Sequence, residues 1–244
     1  MAAQSNIEWT EHTWNPITGC TKVSAGCAHC YAETMAKRLK AMKAAGYENG
    51  FDLTLHPDRL GQPLLRKKPT LYFVNSMSDL FHEDVPDSFI DEVFDTISQT
   101  PRHTYQLLTK RASRLPDYFK SRTCPDNVWL GITVEDRASV NRIKHLQKVK
   151  ATIRFISMEP LIENVGVVNL KGIHWVIVGG ESGPKARPMM LQWAESIKAQ
   201  CEKNSVAFFF KQWGGWSADG QKGSKKHNGR ILHGQTWDQM PTLT

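Results

Sequence analysis

The sequence predicts an α/β protein, a partial or full (β/α) barrel, and three observations carry that expectation. Six short runs rich in β-branched and aromatic residues recur along the chain. Most are spaced by roughly 20–35 residues, the length of a strand-plus-helix unit. Each run is almost continuously apolar, as strands covered on both faces of a parallel sheet are. Each also ends in polar residues, at the strand end where open α/β sheets and barrels bind their ligands. A flavodoxin-like layered sheet fits the same rhythm, but the count of runs suits a barrel better.

The elements follow in order. Tyr31 to Ala45 reads as a helix, with Ala32, Met35, Ala36, Leu39 and Met42 on one face and Gly46 as its C′ residue. Residues 47–69 are irregular. Thr70 to Val74 is the first β-run and leads into Asn75, Ser76, Met77, Ser78 and Asp79. Phe89 to Ile97 is amphipathic. Thr104 to Leu108 is the second run, ending in Thr109, Lys110 and Arg111. Trp129 to Thr133 leads into Val134, Glu135 and Asp136, and Val140 to Val149 reads as helical. Ile153 to Ser157 ends in Met158, Glu159 and Pro160; the connection over 158–174 is short enough to be a loop. Trp175 to Val178 ends in Gly179, Gly180, Glu181, Ser182 and Gly183. Leu191 to Glu202 is helical, and Ala207 to Phe210 leads into Lys211, Gln212 and Trp213. The reading is one domain over 1–244, with a polar C-terminal extension from about 217 to 244.

Composition bounds the function. The chain is 244 residues long and 40% hydrophobic, enough for a sizeable core. No apolar stretch approaches the ~20 residues of a membrane span. The N-terminus lacks a basic region followed by an apolar run, so a cytoplasmic protein is expected, where thiols stay reduced. The net charge of +7 suits a nucleic acid or nucleotide partner. Two basic clusters, at 65–69 and 221–227, lie in loop-like contexts.

Cys20, Cys27 and Cys30 are three of only 5 cysteines and form a C-x6-C-x2-C loop, read as spanning 15–31. Thiolates are the ligands of soft metals and iron–sulfur clusters. With no fourth cysteine nearby, one coordination position is left open. Gly19 and Gly26 let the backbone bend around the sulfurs, and a helix starting at Tyr31 points its amides back at the loop. Trp9 and Trp14 flank the loop and are expected to shield it. Zinc is the alternative metal, with His12 or His56 as fourth ligand; His29 is wedged between two of the thiols and suits neither. A redox dithiol at Cys27 and Cys30 is a third reading. Cys201 reads as a core thiol, and Cys124 as either exposed or structural.

A three-cysteine loop, a helix directly after it and a βα series together resemble the radical S-adenosylmethionine superfamily. Its usual loop is C-x3-C-x2-C; this one has x6 in the first gap, and His29 where an aromatic is usual. The opening Ile7-Glu8-Trp9-Thr10, Thr13 through Cys20, Gly26 through Ala32, and the strand-end runs 75–81, 107–111, 157–161 and 179–183 resemble more closely a phage-associated three-cysteine family of largely uncharacterised proteins. The resemblance implies a radical-type partial or full barrel. It also implies a [4Fe-4S] cluster on Cys20, Cys27 and Cys30, S-adenosylmethionine on the open iron, and an electron donor as partner. The activity implied is generation of a 5′-deoxyadenosyl radical, in the host cytoplasm if the protein is phage-encoded.

By position at strand ends, Asn75, Ser76 and Ser78 are candidates for the methionine moiety, and Lys110 or Arg111 for its carboxylate. Thr133 and Glu135 are candidates for ribose, and Gly179 and Gly180 for close backbone approach to a ligand. Glu159 and Glu181 are candidate acid and base, with a salt bridge to Lys110, Arg111 or Lys211 as the competing use. Lys211 beside Trp213 is a candidate for holding a base. The function expected is thus an iron–sulfur enzyme acting on a nucleotide or nucleic acid; a zinc-stabilised, non-enzymatic nucleic-acid-binding protein is the alternative.

Overall fold

The computed structural model describes residues 3–5 and 7–242. Along the chain come β1 (Ala3–Gln4), β2 (His12–Trp14), β3 (Ile17–Thr18), α1 (Tyr31–Ala41), β4 (Thr54–Leu55), β5 (Leu71–Val74), α2 (Asp87–Ser98) and β6 (Thr104–Thr109). They are followed by α3 (Arg114–Tyr118), β7 (Val128–Thr133), α4 (Arg142–Gln147), β8 (Ile153–Met158), β9 (Trp175–Gly179), α5 (Leu191–Lys203), β10 (Ala207–Gln212) and α6 (Lys225–Asn228). One sheet has the order β1-β2-β5-β6-β7-β8-β9-β10, and β3 pairs separately with β4. β1 is antiparallel to β2. The pairs β2–β5, β5–β6, β8–β9 and β9–β10 are parallel. The protein is an α/β fold of the partial (β/α)-barrel class.

Contacts group the chain into two compact units, one of 1–23, 30–131 and 149–152, the other of 24–29, 132–148 and 153–244. β7 contributes to both, its last two residues belonging to the second.

In the first unit, Tyr72 stacks on Tyr105, with ring centroids 5.5 Å apart, and Trp14 meets Tyr105 edge-on at 5.7 Å. Helix α2 buries Phe89, Ile90, Val93, Phe94 and Ile97, a stripe at helical spacing. In the second unit every residue of β9 is buried, as expected of a strand covered on both faces. Helix α5 buries Ala194, Ile197 and Cys201. The C-terminal segment borders β10: Phe210 donates its amide to the carbonyl of Trp237 at 2.9 Å, and Phe208 donates to Gln239 Oε1 at 2.8 Å. These contacts satisfy backbone groups at the end of the strand order.

All six expected β-runs are strands, and the connection after β8 holds no helix. The structure adds β2, a strand before the cysteine loop. It also shortens two helices: α1 stops at Ala41 and α4 covers only Arg142–Gln147. Helix α1 ends early because Lys43, at φ 54, takes the left-handed turn, while the Ala44 amide returns to Leu39. Gly46 instead serves a later turn. Met35 and Met42, expected on the apolar face, are 43% and 75% exposed, and the helix buries only Ala32 and Ala36. Residues 243 and 244 of the expected extension, and residues 1, 2 and 6, lie outside the described residues. Among the described residues no helix is long and apolar enough to cross a membrane.

Candidate functional site

The chain leaves β2 and β3 and enters the cysteine loop through Gly19. At φ 79, a Cβ here would lie 2.1 Å from the Asp52 carbonyl oxygen, so the turn requires glycine. Cys20 follows, its amide donating to the Phe51 carbonyl at 3.1 Å. Cys27 closes a 3-10 turn over Ala25–Cys27, with Ser24 Oγ 3.8 Å from its sulfur. Cys30 is the N-cap of α1, at the positive end of the helix dipole. None of the three is in a disulfide, and all are partly exposed. Cys124 and Cys201 differ: both are buried, and burial pushes each thiol up to about 12, which leaves them inert.

In the first unit, Arg111 at the end of β6 reaches Cys20. Its Nη1 donates to the Cys20 sulfur at 3.4 Å and to Asp79 Oδ2 at 3.3 Å. Its Nη2 donates to the Thr21 carbonyl at 3.2 Å and Oγ1 at 2.8 Å, and its Nε donates to Glu83. Asp79 also accepts from the Thr109 hydroxyl at 2.7 Å and from the amides of Phe81 and Lys110, each at 3.0 Å. Burial works against the Arg111 charge, but Glu83, Asp79 and Cys20 outweigh it and raise its affinity for the proton. The hydrogen bond from Arg111 holds the Glu83 carboxyl down to about 2.

His82 completes this bracing. Its Nδ1 accepts from the Asp84 amide at 3.1 Å, which leaves Nε2–H to donate to Thr21 Oγ1 at 2.8 Å. Burial, then Arg111, lower its affinity for a proton. A protonated ring would set two N–H groups against each other at Nδ1.

Asn75, Ser76 and Ser78 hold the start of the loop. Asn75 stands at φ 59 and accepts the Ile17 amide on Oδ1 at 3.2 Å. Ser76 donates to Asn15 Oδ1 at 3.2 Å and accepts the Tyr31 hydroxyl on its carbonyl. Ser78 donates to the Ile17 carbonyl at 2.9 Å, and Gly19 to the Met77 carbonyl at 3.1 Å. Three residues expected to meet a ligand thus fasten the segment leading to Cys20. Lys110 differs: its amide donates to Asp79 Oδ2, and among the described residues its ammonium makes no ion pair.

In the second unit two carboxylates hold residues 24–29. Glu135, fully buried, accepts from Ser24 Oγ and from Arg142 Nη1 at 2.6 Å. The same guanidinium donates to the Thr133 carbonyl at 2.8 Å. A Cβ at Gly26 would lie 2.8 Å from Glu135 Oε1, so this glycine lets the loop sit against the carboxylate. Glu181 takes Arg187 in a fork, with Nε to Oε2 at 2.9 Å and Nη2 to Oε1 at 2.5 Å. Oε2 also accepts the Arg187 amide at 2.8 Å and lies 3.2 Å from His29 Nδ1. Burial pushes the Glu181 carboxyl up, and Arg187 and His29 more than reverse it, leaving it below its ordinary value. Arg187 also donates to the Ala25 carbonyl at 3.0 Å.

Glu159 and Lys211 form a salt bridge at 2.9 Å, and Ser157 Oγ donates to Glu159 at 3.3 Å. Lys211 is the residue at which the β9–β10 register shifts; such a bulge redirects a side chain. A Cβ at Gly179 would lie 2.7 Å from Glu159 Oε1, and one at Gly180 would lie 2.0 Å from the Trp213 carbonyl. The glycine pair therefore serves internal packing. Trp213 is buried, edge-on to Phe210 at 4.9 Å, with its indole bonded to the Ile231 carbonyl. It is a core residue, not a surface for stacking a base. Trp9 and Trp14 are also core residues, against Phe73 and Tyr105. Of the zinc candidates, His56 Nε2 is engaged by Thr18 Oγ1 at 2.8 Å, and the His12 ring lies 6.0 Å from Tyr72.

Sequence reasoning missed Glu83, Arg142 and Arg187. The last two carried a signal: a strand-end glutamate followed by an arginine seven residues later in one case and six in the other.

Fold and site together define an α/β protein of the partial-barrel class carrying a braced three-thiol loop near its N-terminus. Residues 4–241 match a family described as "Protein of unknown function (DUF5131)", and the chain belongs to that family. No curated protein matches it in sequence. Among solved structures it is similar to an alanine-for-cysteine mutant of spore photoproduct lyase with dinucleoside spore photoproduct, at 13% identity and TM-score 0.52. It is also similar to a serine-for-cysteine mutant of that lyase, at 12% identity and TM-score 0.50. Each match covers 83% of this chain and 64% of the other, less than two thirds of the lyase. The likeness establishes a shared fold.

Proposed function

We propose that this protein is a radical S-adenosylmethionine-type enzyme acting on a nucleotide or nucleic acid, with Cys20, Cys27 and Cys30 as ligands of a [4Fe-4S] cluster. The observation that carries this reading is the contrast among the cysteines: three are partly exposed on one braced loop, and the other two are buried. Among the described residues no three His, Cys, Asp or Glu side chains are grouped as metal ligands. What supports the reading is the donor chemistry, thiols with a guanidinium at Cys20, in a fold shared with spore photoproduct lyase.

A cluster held by these three cysteines would supply the electron for reductive cleavage of S-adenosylmethionine. The protein supplies position and charge. Arg111 offsets negative charge at Cys20 and fixes Thr21 beside it. Glu135 and the Glu181–Arg187 fork hold residues 24–29, so these carboxylates are positioning residues. Lys110 is our candidate for a substrate or cofactor carboxylate. Glu159 and Lys211, salt-bridged at strand ends, are the pair able to hold or pass a proton. The phage association and an electron-donor partner belong to the same reading.

Anaerobic reconstitution with iron and sulfide, followed by assay for 5′-deoxyadenosine, tests it. Iron incorporation with turnover of S-adenosylmethionine is expected. Tight binding of one zinc, with no iron cluster, would establish the zinc-stabilised alternative instead.

A further inference from the structure

We propose that the 183–187 loop and the 216–228 segment form a docking surface for the sugar–phosphate backbone of a nucleic acid strand. This rests on the reading above and narrows it, because it makes the substrate a polymer rather than a free nucleotide.

Four lysines, Lys185, Lys222, Lys225 and Lys226, are exposed on these two segments, against one carboxylate, Asp219, which is bonded to Ser217. The segments are joined. Lys222 Nζ donates to the Pro184 carbonyl at 2.9 Å, and Trp216 Nε1 donates to the Ala186 carbonyl at 2.6 Å. Trp216 and Lys222 form an antiparallel bridge, with the ammonium 5.9 Å from the indole ring. The 183–187 loop in turn leads into Arg187, which holds Ala25, two residues before Cys27. The basic surface is thereby tied to the thiol loop within one compact unit.

The chemistry favours nucleic acid over other polyanions. Gln221, Ser224, His227 and Asn228, on the same segment as three of the lysines, are all hydrogen-bonding residues, and Trp216 beside them is half-buried. A cationic track with an aromatic beside it is the usual platform for a single strand. None of the exposed large hydrophobic side chains falls within 183–187 or 216–228, so the surface lacks the apolar component a membrane or protein partner would use.

The test is fluorescence anisotropy of labelled single-stranded DNA and RNA oligonucleotides with the full chain across a salt series. The four-lysine variant K185Q/K222Q/K225Q/K226Q is compared with K67Q/K68Q in the other basic cluster. The four-lysine variant is expected to bind roughly tenfold or more weakly. Its slope of log affinity against log salt is expected to fall by about 2 to 3, since each lost single-strand phosphate contact removes about 0.7. K67Q/K68Q should bind like the wild type, and unchanged melting of both variants shows that they fold. Wild-type-like binding by the four-lysine variant overturns the proposal. So does displacement of the oligonucleotide by polyglutamate as effectively as by unlabelled oligonucleotide, which would indicate an acidic protein partner. Release of 5′-deoxyadenosine measured without nucleic acid tests the enzymatic reading separately, so the two failures are distinguishable.

Discussion

Replacing Arg111 with methionine probes the side chain that braces the thiol loop at Cys20 and Thr21. The guanidinium is 8% exposed and bonds Asp79, Glu83, Cys20 and Thr21. Methionine keeps much of the volume but leaves the Asp79 carboxylate buried without its cation. Breaking a buried pair from one side costs about 3–5 kcal/mol. Asp79 keeps three hydrogen bonds, from Thr109, Phe81 and Lys110, which places the expected loss at the low end, about 3 kcal/mol. Glu83 is largely exposed and adds little. For a chain of this size each kcal/mol moves the melting midpoint by about 2–4 °C. Arg111→Met should therefore melt about 6–12 °C lower by circular dichroism. Adding Asp79→Asn to Arg111→Met should recover part of that loss, because the orphaned charge is removed. A single variant melting within about 2 °C of the wild type would refute the idea that this pair fixes the loop.

Other outcomes follow from the same geometry. Gly180→Ala should cost about 3 kcal/mol or more, because its Cβ would meet the Trp213 carbonyl at 2.0 Å. Gly183→Ala, with nothing within 4 Å of the added Cβ but φ at 109, should cost only about 1–3 kcal/mol of backbone strain; comparative urea unfolding checks both. Burial depresses the proton affinity of His56, His82, His103 and His174. Below an unfolded pKa of about 6.5 the unfolded chain then binds more protons, so stability should fall as pH drops from 7 to 5. The melting midpoint across that range checks the sign, and His82→Gln should flatten the dependence. Glu181→Gln should loosen the 24–29 segment, read as faster amide exchange at Ala25 to His29, with the Arg187 charge left underpaired.

Much of the fold was legible because strand signals are local. Continuous apolar runs such as 175–178 declare a doubly covered strand whatever surrounds them. β2 escaped because three residues, His12, Thr13 and Trp14, hold no periodicity; the strand exists through its parallel pairing with Tyr72, Phe73 and Val74. The end of α1 was misjudged because Gly46 looked like the cap, whereas Lys43 adopts the left-handed conformation. At the site, residue type and strand-end position singled out Arg111, Glu135 and Glu181, but not what they hold. Each grips the thiol loop from 90 to 152 residues away in sequence, as in the contacts of Arg111 with Thr21, Glu135 with Ser24 and Glu181 with His29; long-range contacts of that kind leave no local pattern. Trp213 left two uses open in sequence, base stacking and buried packing, and its packing on Phe210 decides for the second.

The central claim is that Cys20, Cys27 and Cys30 hold an iron–sulfur cluster. Iron and acid-labile sulfide should be counted after anaerobic reconstitution of the wild type, of each single alanine variant at these positions, and of Cys124→Ala and Cys201→Ala. The account predicts about four irons and four sulfides per chain in the wild type. It predicts the same in the Cys124 and Cys201 variants, and marked loss in each of the other three. Equal iron content in all five variants, or zinc in place of iron throughout, would contradict it.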